Sequence, residues 1–226
     1  MDFNMISVSK DWNPKQALLK EMLSKPNQFK EGIELCLELH SLVHTAETSN
    51  VNYTTYEDEL WDGLSEDIFR GQVKKKSTTI AWNLWHITRI EDITVNILIA
   101  DERQVLNPDW RRKLKTEVLD TGNAMTDQEI ADFSSCVDMK ELRNYRIQVG
   151  RKTQGIIQNL KPSDLKRKMT EIQLNRIISE GGVLKLEGSI GLIDFWGRKT
   201  VAGLLLMPVT RHQIVHINDS LKIKEK

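Results

Sequence analysis

TTIAWNLWHITRIEDITVNILIA, Thr78 to Ala100, stays apolar on nearly every side when wound as a helix. Ile80, Ala81, Leu84, Trp85, Ile87, Ile90, Ile93, Val95, Ile97, Leu98 and Ile99 leave little room for a wetted stripe. A helix apolar nearly all round belongs in the middle of a bundle or at a subunit contact, because no face of it prefers water. The stretch therefore demands partner helices on several sides. Its one histidine, His86, would be buried with it.

Three further long segments can supply those partners. Asn27 to Glu47 follows Pro26 and repeats Phe29, Ile33, Cys36, Leu39 and Val43 at steps of three and four, which is helical spacing. Asp138 to Leu160 opens on Asp138 with Glu141 three residues on, resembling a capping box, and carries Leu142, Tyr145, Val149, Ile156 and Leu160. Arg198 to Ile223 is the fourth, with Pro208 inside it, and an interior proline removes a backbone bond and kinks a helix, here one turn before His212. A short helix, Pro14 to Ser24, precedes the first, with Asn13 placed as its N-cap.

The connections are long, and such loops often cover a pocket. Thr48 to Ser77 holds a predicted short helix around Tyr56 to Leu64. Asp101 to Val137 holds another around Asp127 to Ser135, introduced by Thr126. Lys161 to Gly197 concentrates glycine and carries a possible strand at Val183 to Leu186. The residues read as one all-α domain over Met1 to Lys226, with four long helices and extra short helices in its connections, whose length leaves the topology open.

Composition narrows the partners. Lys+Arg and Asp+Glu are both 32, giving a formal net charge of zero, whereas a duplex-binding protein carries a basic surplus. The basic runs Lys74-Lys75-Lys76, Arg111-Arg112-Lys113 and Lys166-Arg167-Lys168 are short and read as solvated surface. Cys36 and Cys136 cannot build a disulfide framework, which points to a reducing compartment. Met1 to Lys10 shows no secretory pattern, and the apolar run Gly203 to Val209 is far short of a membrane span. A cytoplasmic protein without nucleic-acid or membrane partners is expected.

Chemistry is concentrated in the histidines. His212 and His216 are four apart, so on a helix their imidazoles differ in direction by only about 40°. With His86 on a facing helix, three neutral nitrogens can meet at one metal ion. Burying several imidazoles in an apolar seam is unfavourable unless each finds a partner, and one ion would serve all three. Ordinary core histidines with one hydrogen bond each are the alternative. Cys36, His40 and His44 form another stripe at steps of four, a rival ligand set or a lining of the same pocket. Asp219 lies about 20° from the direction of His212 and is a candidate base or imidazole-orienting group. Arg89, three residues from His86, is a candidate for holding an anionic substrate group, and Arg211 a weaker one; surface charge is the alternative for each. No Glu follows His212, so the HExxH protease arrangement is absent.

These residues carry a family resemblance. WHITRIED, Trp85 to Asp92, resembles the helix-two histidine segment of the DinB/YfiT-like superfamily. TRHQIVHIN, Thr210 to Asn218, resembles its C-terminal H-x-x-x-H helix, and the order of the histidines matches too. The resemblance implies an up-down-down-up four-helix bundle, with Asp101 to Val137 as the long crossover, commonly as a homodimer. It implies a divalent metal, zinc or nickel, on His86, His212 and His216. It also implies a metal-dependent enzyme, with transfer of a low-molecular-weight thiol to an electrophile as the leading activity and metal-assisted hydrolysis beside it. A non-catalytic dimeric stress-response or ligand-binding protein with a structural metal is the alternative from another class.

Overall fold

The computed structural model describes residues 8–71 and 78–225, so the run Lys74-Lys75-Lys76 lies outside the described residues. Five long helices organise it. Helix α1 is Asn13–Ser24, α2 is Phe29–Leu42, and α3 is Ile80–Glu91 continued through a π-helical run, Asp92–Ile99. Helix α4 is Met139–Gln158. Helix α5 is His212–Lys224, entered through Val201–Leu204 and a second π-helical run, Leu205–Arg211. Every regular element among the described residues is helical, and the one β contact is the isolated bridge between Lys168 and Thr200.

Helix α3 is the centre, as its composition requires. Every residue from Ile80 to Ile99 is buried, the polar ones included. Thr79 caps it by accepting from the Trp82 amide at 2.9 Å. At the far end, Gln173 donates to the carbonyls of Ile97 and Leu98, so those carbonyls are satisfied by the Lys161–Gly197 connection rather than by water.

Cross-helix bonds give the direction of each helix. Asn83 meets Ser220 at 3.1 Å and the Gln213 amide reaches the Ile87 carbonyl at 3.2 Å, so α3 and α5 are antiparallel. Arg146 meets Thr88 and Lys152 meets Glu102, so α3 and α4 are parallel. His40 faces Gln154 while Val43 faces Arg146, so α2 and α4 are antiparallel. The order is up-down-down-up. The parallel pair needs the long crossover, and Asp101 to Val137 supplies it, with helices Pro108–Leu114 and Asp127–Cys136 inside it.

Local details depart from the sequence reading. The helix expected over Asn27 to Glu47 stops at Leu42, and Thr45, in extended geometry, starts a separate turn, Ala46–Ser49. Asn13 is not a cap; Val8–Trp12 continues the helix backwards, and the Asn13 side chain accepts from Arg211. Asp138 caps α4 through the Glu141 amide at 3.1 Å, but its own amide donates to the Leu114 carbonyl, so the reciprocal half of a capping box is missing. No strand forms at Val183 to Leu186. That stretch turns instead, with the Leu184 amide on Ser189 Oγ and the Ser189 amide on the Leu186 carbonyl. Pro208 is accommodated by the π-helical run, in which the His212 amide bonds five residues back to the Met207 carbonyl.

Candidate metal centre

The antiparallel register of α3 and α5 brings His86, His212 and His216 together. One ring nitrogen of each lies within 4.8 Å of the others. Ring centroids are 5.0, 4.9 and 4.7 Å apart for the three pairs, and the His86 and His212 Nε2 atoms are 3.2 Å apart.

His86 is set from two sides. Its Nδ1–H donates to the Thr121 carbonyl at 2.7 Å, which leaves the Nε2 lone pair directed at His212. Trp82, one helical turn earlier, stacks on its ring at 4.5 Å with planes 9° apart. His212 Nδ1 is buried and has no hydrogen-bond partner. Burial pushes the His86 imidazole down to about 3, with His216 beside it adding to the effect. Burial also holds His212 well below the usual range and lowers His216, which the Asp219 charge partly offsets. Three imidazoles whose ring nitrogens converge form a donor set that could hold a divalent metal ion.

A cavity of about 240 Å³ opens onto this cluster. His86 and His212 line it together with Leu192, Phe195, Trp196, Met207, Pro208, Ile90 and Asn123. Part of its wall, Leu192, Phe195 and Trp196, comes from helix Gly191–Gly197, in the glycine-rich connection.

The other singled-out residues are placed differently. Arg89 is fully buried and points away, donating to Asp92 Oδ2 at 2.9 Å, the Tyr145 hydroxyl at 3.0 Å, Gln104 Oε1 at 2.6 Å and the Leu119 carbonyl. With its fork engaged by the protein, it offers nothing to a substrate anion. Asp219 is half-exposed and pairs with Lys222 at 3.2 Å. Arg211 pairs with Asn13. Trp196 lines the cavity, whereas Trp85 is core, packed on Phe133 and Tyr145.

The stripe on α2 joins neither the three histidines nor the cavity. His40 Nε2 and His44 Nε2 each lie 2.9 Å from a different oxygen of Glu91, and all three side chains have zero exposure. Cys36 is not in that group; burial pushes its thiol up to about 12. Glu91 was visible in the sequence only as one acid on α3, and its role appears once α2 faces α3 across the bundle. Thr121 contributes a backbone carbonyl, for which no side-chain signal exists.

A family model described as the DinB superfamily matches residues 56–219. No curated protein matches the chain. Among the described residues, no helix is long and apolar enough to cross a membrane.

Proposed function

Because this chain belongs to the DinB superfamily, we propose that it is a metal-dependent enzyme whose centre is His86, His212 and His216, and whose reaction joins a low-molecular-weight thiol to an electrophile. The observation that carries this reading is that two of the three histidines form part of a cavity wall, so the cluster is reachable from outside. A structural site would be closed by a fourth protein donor, and Asp219, the nearest acid in sequence, is engaged with Lys222.

Imidazole donors suit zinc and nickel alike. Either ion, when bound, supplies a Lewis acid that lowers the pKa of a thiol or water placed beside it. The chain's own residues do the rest. The Thr121 carbonyl and the Trp82 face hold His86 in one tautomer and one orientation. Leu192, Phe195, Met207 and Pro208 make most of the remaining wall apolar, with Asn123 its polar member, which disfavours water and favours an electrophile with an apolar body. That lining is why thiol transfer is preferred here to hydrolysis, in which water must enter.

The test uses untagged full-length protein, assayed against low-molecular-weight thiols with apolar electrophiles, with and without chelator. Metal-dependent turnover is expected. It should fall at least tenfold in Leu192→Trp, which fills the cavity without replacing a ligand, while metal content stays unchanged. Stoichiometric metal with no turnover for any thiol, and unfolding on chelation, would instead establish a non-catalytic protein with a structural ion. A homodimer, expected for this family, is part of the same proposal and is checked by sedimentation of the same sample.

A further inference from the structure

We propose that His40, His44 and Glu91 form a second divalent-metal site, enclosed in the bundle and separate from the three-histidine centre. The two imidazole Nε2 atoms lie against different oxygens of one carboxylate, each at 2.9 Å, and one donor atom from each residue falls within 4.8 Å of the others. Two ligands about 2.1 Å from a tetrahedral ion are about 3.4 Å apart, so an opening of about half an ångström admits one. Glu91 would bind through both oxygens and each histidine through Nε2, giving four donor atoms and a closed set.

The surroundings favour an ion over protons alone. Without one, each Nε2–H donates to Glu91, and the single proton of a neutral His44 is used there. Its Nδ1 is then a bare acceptor, fully buried and without a hydrogen-bond partner. Glu57 Oε2, another acceptor, lies 3.9 Å from it. Two acceptors opposed in a dry core destabilise each other. An ion at Nε2 moves the His44 proton to Nδ1, where it points at Glu57, the imidazole–carboxylate arrangement that orients metal-bound histidines. No proton is lost in this exchange; it changes nitrogen. Glu57 is itself held by Arg146 Nε at 2.8 Å, and Arg146 is anchored on the Val43 carbonyl at 2.7 Å. His40 is prepared in the same way. Its Nδ1 lies 3.5 Å from the Gln154 amide, whose oxygen can take the place of its nitrogen by a half-turn.

Charge points the same way. Arg146 pairs with Glu57, and the partners of the Glu91 carboxylate, at zero exposure, are the two imidazoles. A buried anion without a cation is costly, and a divalent ion removes that cost. Both donor types, imidazole and carboxylate, suit zinc and its first-row neighbours. Complete burial means the ion enters during folding and leaves only on unfolding.

The experiment counts zinc in untagged full-length protein expressed with added zinc. Wild type should carry two ions per chain, one of which survives native dialysis against a chelator. His212→Ala/His216→Ala removes the open centre without touching α2, and should retain one ion. X-ray absorption of that variant should then show two imidazoles with carboxylate oxygen. Adding Glu91→Gln should leave none. A folded His212→Ala/His216→Ala protein without zinc overturns the second site, as does nitrogen NMR showing Nε2–H on both His40 and His44 in zinc-grown protein. If instead that variant keeps both ions, it is the three-histidine assignment that fails.

Discussion

His86 Nε2 and His212 Nε2 are 3.2 Å apart although 126 positions separate them in the chain. Thr121 accepts the only proton of a neutral His86 at Nδ1, so the bond between the two rings must use a proton from His212. That assignment leaves His212 Nδ1 as the orphaned atom. An ion taken up by the pair must displace this proton, and binding therefore competes with one hydrogen bond and not with a charge.

His212→Ala follows directly. It removes one of three donors and should weaken metal affinity at the open centre by about 100-fold or more, beyond the loss seen when only an orienting group is removed. Because His212 Nδ1 has no partner, only the bond to His86 is lost with it, and stability of the metal-free protein should change by about 1 kcal/mol or less. Competition with a chromogenic chelator and urea unfolding measure the two effects. Unchanged affinity would remove His212 from the centre.

Metal-free protein should lose stability on mild acidification. Burial pushes His86 and His44 to about 3, whereas an unfolded histidine titrates near 6.5. For His44 the adjacent Glu91 charge opposes this and Arg146 reinforces it. The unfolded chain thus binds protons first, so the contribution is complete above about pH 6.5 and is lost as pH falls toward 3. The slope should be about 1 kcal/mol per pH unit for each group between pH 6 and 5, above the range where most carboxylates titrate. Urea midpoints at pH 7.5, 6 and 5, on protein unfolded and refolded in the presence of chelator so that both sites are empty, give it directly. A flat profile would mean that these imidazoles are already charged or already wet.

What could be read in the sequence is what side-chain direction encodes. Helix α3 was legible because an all-round apolar helix has only one place to go. The pairing of His212 with His216 was legible because a step of four fixes their common direction. The π-helical runs were not, since a bond to the fifth residue leaves almost the same apolar pattern as one to the fourth. Arg89 was misread because its neighbour His86 faces α5, whereas Arg89, three residues on, faces Asp92 and Tyr145. Glu91 was overlooked because an acid in a helix reads as surface until a second helix is known to cover it. The cavity wall, Leu192 and Phe195, came from a glycine-rich connection in which no periodic pattern runs long enough to be recognised.

Arg89→Ala should be a stability variant and not a metal variant. It strips the cation from Asp92, which is completely buried, and leaves Gln104 and the Leu119 carbonyl without their donor. Breaking a buried pair from one side costs about 3–5 kcal/mol. Arg89→Lys keeps the charge but not the fork and should recover only part of that. Equilibrium unfolding measures both, and metal bound per folded molecule should stay at the wild-type value. A folded, fully stable Arg89→Ala protein with altered activity would return Arg89 to the site.

Gly122→Ala tests how the ring of His86 is held. Gly122 has φ +75, a left-handed conformation that strains any side chain, and a Cβ there would lie 2.8 Å from Trp82 Nε1. Trp82 is the ring stacked on His86, and the residue before Gly122 is Thr121, whose carbonyl fixes the His86 tautomer. One added methyl group therefore disturbs both supports of a ligand without altering any ligand. Strain of this kind costs about 1 kcal/mol or more in stability. Metal affinity at the open centre should fall by about 10- to 100-fold, the range for lost orienting contacts. The enclosed cluster on α2 touches neither residue and should keep its ion, so chelator titration of the variant should show one weakened and one unchanged site. Equal weakening of both would mean that the substitution acts through the whole bundle and that Trp82 has no particular hold on His86.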